Sequence, residues 1–232
     1  PCVPEAHPYI LVNYTGNLRD VATVAHELGH GVHQHLAAAQ GFYNSDTPLV
    51  LAETASVFAE LLVFKAQVGL IASPEARRAF VCQKLESIFA TVFRQVAMHR
   101  FEAAVHEHRR EQGELSAGQF GELWLATQRP MFADTLTLRD DYRLWWAYIP
   151  HFLATPGYVY AYAFGELLVL ALYARFLAEG PGFVDRYLDL LRAGGSRSPQ
   201  ELLAPFAIDL NDPAFWHGGL DIIESMLGEV LA

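Results

Sequence analysis

Cysteine is nearly absent from this chain. Cys2 and Cys82 are the only two in 232 residues. They are too few for a disulfide framework and suit a reducing compartment, with Cys82 most simply a small buried side chain. Charge is sparse as well: 18% of residues are Asp, Glu, Lys or Arg, and the formal balance is −10. A surplus of that sign argues against the basic face a nucleic-acid partner needs. No apolar run reaches membrane-spanning length without interruption. No basic segment leading into an apolar core opens the chain. The expectation is a cytoplasmic protein with no nucleic acid and no membrane among its partners. No internal repeat or low-complexity segment stands out.

Apolar side chains are abundant instead. At 52% hydrophobic over 232 residues, the chain can bury a sizeable core as one domain over 1–232. Tyr9-Ile10-Leu11-Val12-Asn13-Tyr14 is β-rich and reads as a strand. No second strand signal follows, so it is expected either to pair upstream or to lie as an edge over helices. The rest is helical punctuation. Asn44–Pro48 reads as a loop before an apolar helix over 49–64. Ser73-Pro74-Glu75 opens a long helical stretch to about Gln112, stopped by Gly113. Another starts near Ser116 and runs to Arg129-Pro130. An apolar helix over 157–179 stops at Gly180-Pro181-Gly182, and short helices follow over 184–192, 200–206 and 214–231. Ser198-Pro199-Gln200-Glu201 and Asn211-Asp212-Pro213 are further start signals.

One helix-forming stretch, Arg19 to His30, carries His26-Glu27-Leu28-Gly29-His30. A helix advances about 100° per residue, so positions four apart lie roughly 40° from each other on one face. His26 and His30 can therefore present their imidazoles to one point. Zinc accepts two neutral imidazoles and leaves room for a carboxylate and a water. Glu27 is placed to lean toward that water as general base, the pattern of a metallopeptidase. The competing reading is a His-rich surface helix, which the apolar flanks disfavour.

The third ligand must come from elsewhere. On the apolar helix over 49–64, Glu53 and Glu60 are the only acidic residues. Seven apart, they point the same way to within about 20°. A carboxylate on such a face is costly to bury unless paired or bound to metal. Glu53 is assigned to the metal and Glu60 to a partner behind it, accepting the free N–H of a ligand imidazole. An ordinary salt bridge at Glu60, or the reversed assignment, stays open. The metzincin pattern wants Gly at 33 and His at 36, where this chain has His33 and Leu36. His33 shares the ligand face. It either touches substrate, backs the site, packs in the core or faces solvent, and it stays outside the ligand set.

Further on, Trp145-Trp146-Ala147-Tyr148-Ile149-Pro150-His151-Phe152 leads into Tyr158-Val159-Tyr160-Ala161-Tyr162. Phenols and imidazoles are good donors to an oxyanion. In a helix begun at Pro156, Tyr158 and Tyr162 face one way and Tyr160 the other, which makes His151, Tyr158 and Tyr162 a candidate donor set. A plain aromatic core is the rival reading.

These stretches, in this order, resemble the catalytic region of the M3 family of metallopeptidases, in its oligoendopeptidase F branch. The likeness is carried by His7–Tyr14 running into His26–His33, by Ala52–Ser56 with Glu60, by Ile149–Phe152 with Tyr158–Tyr162, and by Asp212–Leu220. The resemblance implies a mainly α, helical zincin-type catalytic domain with one short N-terminal edge strand. It implies Zn2+ at His26, His30 and Glu53, with Glu27 as base. It further implies that His151 and tyrosines of the following segment stabilise the tetrahedral intermediate, and that a deep cleft admits short peptides. The edge strand Tyr9–Tyr14 is then a candidate to pair with substrate backbone. Relatives carry a large region before the first motif. The chain is accordingly expected to be a C-terminal catalytic part of a longer enzyme, whose N-terminal region completes the cleft. The function read from all this is zinc-dependent endopeptidase. A related zinc carboxypeptidase and an incomplete, non-catalytic peptide-binding fragment are the alternatives.

Overall fold

The computed structural model describes residues 3–133 and 135–231; Cys2 lies outside them. In chain order the helices are α1 (Leu18–Ala37), α2 (Leu49–Ala52), α3 (Thr54–Leu70), α4 (Pro74–Thr91), α5 (Phe93–Gln112), α6 (Ala117–Phe132), α7 (His151–Ala154), α8 (Tyr160–Glu179), α9 (Pro181–Arg192), α10 (Pro199–Leu203) and α11 (Pro213–Leu231). The mainly helical class is as expected. The edge strand is not: Tyr9–Tyr14 forms no strand, and none occurs among the described residues. β-propensity alone does not make a strand, because a ladder needs a partner backbone. Here Tyr9 and Leu11 stand 82% and 98% exposed.

Two compact units divide the chain. The first comprises Pro1–Leu85 and Gly165–Ala232. Its α1 begins at a capping box, in which the Asn17 side chain accepts from Asp20 N at 2.9 Å. The Asp20 carboxylate in turn accepts from the Thr15 hydroxyl and the Thr15 and Gly16 amides. Those bonds, the hydroxyl's foremost, hold its carboxyl below the usual range. α1 packs on α3 and α9. The core of the unit is the middle of α8, where Leu168, Val169, Leu170 and Leu172 are fully buried. α8 is long and apolar enough by composition to cross a membrane, yet 56% of that stretch is buried. Phe58 of α3 stacks on Phe183 and leans on Tyr187 of α9. The buried Tyr187 phenol donates to the Thr54 carbonyl at 3.0 Å, which ties the first turn of α3 to α9.

The second unit is Glu86–Phe164. α5 packs on α6 around Met98, Phe101, Trp124, Ile149 and Val159. Phe101 meets Trp124 edge-on, and Phe120 stacks on Trp146, the offset geometries that aromatic quadrupoles favour. Part of the aromatic segment is thus core. Trp146 packs there, whereas Trp145 and Tyr148 are exposed. Buried Glu102 accepts from Gly157 N at 2.6 Å, pinning a turn that Gly157 enters at φ 77°.

Several boundaries differ from the sequence reading. The helix expected over 49–64 breaks at Glu53, with φ −85° and ψ 0°, and resumes to Leu70. The stretch from Pro74 to Gln112 is two helices, parted at Val92. α6 carries Pro130 in its last turn and ends on Ala133 in the left-handed region. α8 begins at Tyr160 rather than Gly157.

Candidate metal centre

From one face of α1, His26 and His30 bring their Nε2 atoms to 3.1 Å. Glu53 Oε2 lies 3.4 Å from each of them. Three donor atoms, two neutral-capable nitrogens and a carboxylate oxygen, therefore form a near-equilateral triangle. It is a group of half-buried side chains able to hold a metal ion.

Two close approaches build that triangle. Gly29 lies between the histidines, and a Cβ there would sit 2.5 Å from the Ala55 carbonyl oxygen and 2.6 Å from Ser56 Cα. Only glycine lets α1 approach the start of α3 so closely. Across the site, a Cβ on Gly165 would come 3.3 Å from Glu53 Cβ. The break before α3 turns the Glu53 side chain inward. Buried Ser56 secures it, with its hydroxyl 2.7 Å from Glu53 Oε2 and 3.1 Å from Glu53 O.

Behind the triangle, His26 Nδ1 lies 2.5 Å from Glu60 Oε1. With Glu60 ionised, Nδ1 is the donor, which leaves the Nε2 lone pair facing His30 and Glu53. The other Glu60 oxygen is 3.4 Å from Lys84 Nζ. Burial works to lower the His26 pKa, but the Glu60 hydrogen bond and the charges of Glu60, Glu53 and Glu27 hold it above its ordinary value. For Glu53 and Glu60 burial works upward, yet both carboxyls end below their ordinary range. His30 and Ser56 stabilise the Glu53 anion, and His26 and Lys84 that of Glu60. A third carboxyl, Glu166, is only 5% exposed, and burial pushes its pKa up.

Glu27 and His30 line a cavity of about 910 Å³ together with His33, Asp46, Phe42 and Tyr43. His33 is 3% exposed and 3.5 Å from the Thr47 hydroxyl. Burial, with His30 nearby, drives its pKa down to about 4. Of the readings open for it, the structure has it packed, with an edge on the cavity.

The remaining sequence candidates belong to the second unit. His151 Nε2 is 3.2 Å from the Tyr162 hydroxyl. Tyr158 lies parallel to the His151 ring at 6.3 Å and meets Tyr162 edge-on at 5.0 Å. Tyr160 turns away to His99. Although α8 starts only at Tyr160, Ala161 N donates to Tyr158 O. That turn keeps Tyr158 and Tyr162 on one side. The structure thus brings His26, His30, Glu53 and Glu60 together, and separately gathers His151, Tyr158 and Tyr162.

Sequence reasoning gave no role to Ser56, Lys84, Gly29, Gly165 or Glu166. The intervals from Lys84 to Glu60 and from Gly165 to Glu53 carry no local periodicity that announces a contact. Buried Glu166 on an apolar helix was the one legible signal, by the same cost argument that singled out Glu53.

The family model for peptidase family M3 matches residues 2–222. Oligopeptidase PepF of Bacillus subtilis is 30% identical over 97% of this chain and 33% of its own length. The chromosomal oligoendopeptidase F of Lactococcus lactis subsp. cremoris is 29% identical over 97% of this chain and 38% of its own. Among solved structures, one from Chlamydophila abortus superposes with a TM-score of 0.89 at 30% identity, covering 98% of this chain and 38% of that one. The oligoendopeptidase-F structure from Enterococcus faecium gives 0.76 at 25% identity, covering 92% and 39%. The chain spans between about a third and two-fifths of the length of these relatives. With a family match running almost from end to end, this chain belongs to peptidase family M3.

Proposed function

We propose that this chain is the catalytic region of a zinc-dependent endopeptidase that cleaves internal bonds of short peptides. The observation that carries the reading is the triangle of His26 Nε2, His30 Nε2 and Glu53 Oε2, with sides of 3.1, 3.4 and 3.4 Å. Tetrahedral zinc holds N and O donors at about 2.0–2.2 Å, so its ligand atoms stand roughly 3.3 Å apart. The three donors match that edge and leave a fourth position free, as catalytic sites require. Zinc bound there supplies Lewis acidity and lowers the pKa of a coordinated water toward neutrality.

The chain's own residues do the rest. Glu27, adjacent to a ligand and on the cavity wall, takes the proton of the attacking water and passes it to the leaving amine. Glu60 fixes His26 with Nε2 as its lone-pair nitrogen. His151, Tyr158 and Tyr162 are assigned as donors to the scissile carbonyl oxygen, where negative charge develops. The relatives named oligopeptidase and oligoendopeptidase F support short peptides as the substrate class.

The test is digestion of a peptide blocked at both ends, with and without a chelator. Internal products that disappear on chelation support the proposal. An enzyme that leaves the blocked peptide intact but trims its free form from the C-terminus is a carboxypeptidase. No cleavage of either by the zinc-loaded protein favours a binding fragment.

A further inference from the structure

Lys84 is an unusual cation in this chain. It is one of only two lysines, and its side chain is 12% exposed. Every other Lys or Arg in an ion pair among the described residues is at least 32% exposed at its side chain. Burying an ammonium is costly without a compensating role. Lys84 Nζ is 3.4 Å from Glu60 Oε2, and Glu60 Oε1 is 2.5 Å from His26 Nδ1. A continuous chain therefore runs from α4 through α3 to the ligand helix α1.

We infer that Lys84 is a positioning residue for the metal centre, acting through Glu60 to fix the tautomer and orientation of His26. The inference rests on the zinc reading above. Three carboxyl groups, Glu53, Glu60 and Glu166, share this partly dry region, and Lys84 is the one ammonium or guanidinium paired with any of them among the described residues. Lys84 holds one Glu60 oxygen while the other faces His26 Nδ1, so the ammonium fixes where the carboxylate sits on the imidazole. Without Lys84 the Glu60 carboxylate has no second partner and is free to turn away from His26 Nδ1–H. The imidazole is then free to rotate or to place its proton on Nε2, and either change removes a ligand lone pair. Lys84 thus holds Glu60 in place, and Glu60 holds His26 as a ligand.

The experiment measures zinc affinity of the full chain by competition with a chromophoric chelator, and the visible spectrum of the cobalt-substituted protein. It compares wild type, Lys84→Met, Glu60→Gln, the double variant and Lys84→Arg. Lys84→Met is expected to weaken zinc binding by about 10- to 100-fold and to perturb the cobalt bands. Lys84→Arg is expected to recover most of the affinity. The double variant is expected to bind no worse than Glu60→Gln alone, because the lysine works through the carboxylate. Should Lys84→Met not fold, Lys84→Gln takes its place with the same expectation. Wild-type affinity and an unchanged cobalt spectrum in the Lys84 variant, or fully additive losses in the double variant, overturn the inference while leaving the metal centre intact. A wild-type chain that takes up no zinc overturns the metal centre itself, and this inference with it.

Discussion

Gly29 and Ala55 touch backbone to backbone: a Cβ on Gly29 would stand 2.5 Å from the Ala55 carbonyl oxygen. That contact sets the distance between the helix bearing His26 and His30 and the turn bearing Glu53. Alanine is intrinsically better than glycine in a helix by about 1 kcal/mol. Overpacking against rigid backbone costs about 1–3 kcal/mol and outweighs it. Gly29→Ala is therefore expected to lower the melting temperature by several degrees and to weaken zinc binding. Calorimetry and chelator competition check both. A variant with wild-type affinity would show that the close approach does not set the metal geometry.

Glu27 is assigned to proton transfer rather than to the metal. Glu27→Gln keeps the shape and removes the base, so turnover should fall by about 10²- to 10⁴-fold while zinc content stays at the wild-type level. Steady-state rates on a blocked peptide, with metal analysis of the same sample, give the answer. Loss of zinc from the variant would move Glu27 into the ligand set.

The three tyrosines after His151 separate by partner. Tyr158 and Tyr162 cluster with His151, whereas Tyr160 meets His99 and is 41% exposed. Phenylalanine at 158 or 162 should lower kcat, by up to about 10²- to 10³-fold for a true oxyanion donor. Tyr160→Phe should change it little. Kinetics of the three variants decide the matter, and a large defect in Tyr160→Phe alone would reverse the assignment.

His33 makes acid stability measurable. Burial drives its pKa from 6.5 down to about 4. Between those values the unfolded chain binds the proton and the folded one does not. Stability from this group is thus complete above about pH 6.5 and falls as pH drops toward 4, by roughly 3 kcal/mol in all. Denaturant melts of the metal-free protein at pH 7 and pH 4 should show that slope, reduced in His33→Leu. An equal slope in the variant would assign the acid sensitivity elsewhere.

Much of this site is local in sequence and so could be read there. His26 and His30 are joined by helical periodicity alone. Glu53 and Glu60 stand out because carboxylates on an apolar face need a reason to be there. Helix starts at Ser73, Ser116, Ser198 and Pro213 were legible because capping chemistry is local, and Ser116 and Ser198 indeed form capping boxes. Tyr9–Tyr14 has the composition of a strand but forms none, because strand formation depends on a partner that propensity does not supply. The breaks at Glu53 and Val92 carry no Gly or Pro signal. Lys84 becomes visible only in the tertiary structure, which brings its ammonium from α4 to Glu60 of α3.

The central claim is that His26, His30 and Glu53 hold one zinc ion. Metal analysis of the purified wild-type chain beside His26→Ala and Glu53→Ala tests it most directly. One zinc per wild-type chain is expected, with substoichiometric metal and sharply weakened affinity in each variant. A wild-type chain free of zinc after gentle purification and unable to take it up, or variants that retain it in full, would contradict the account.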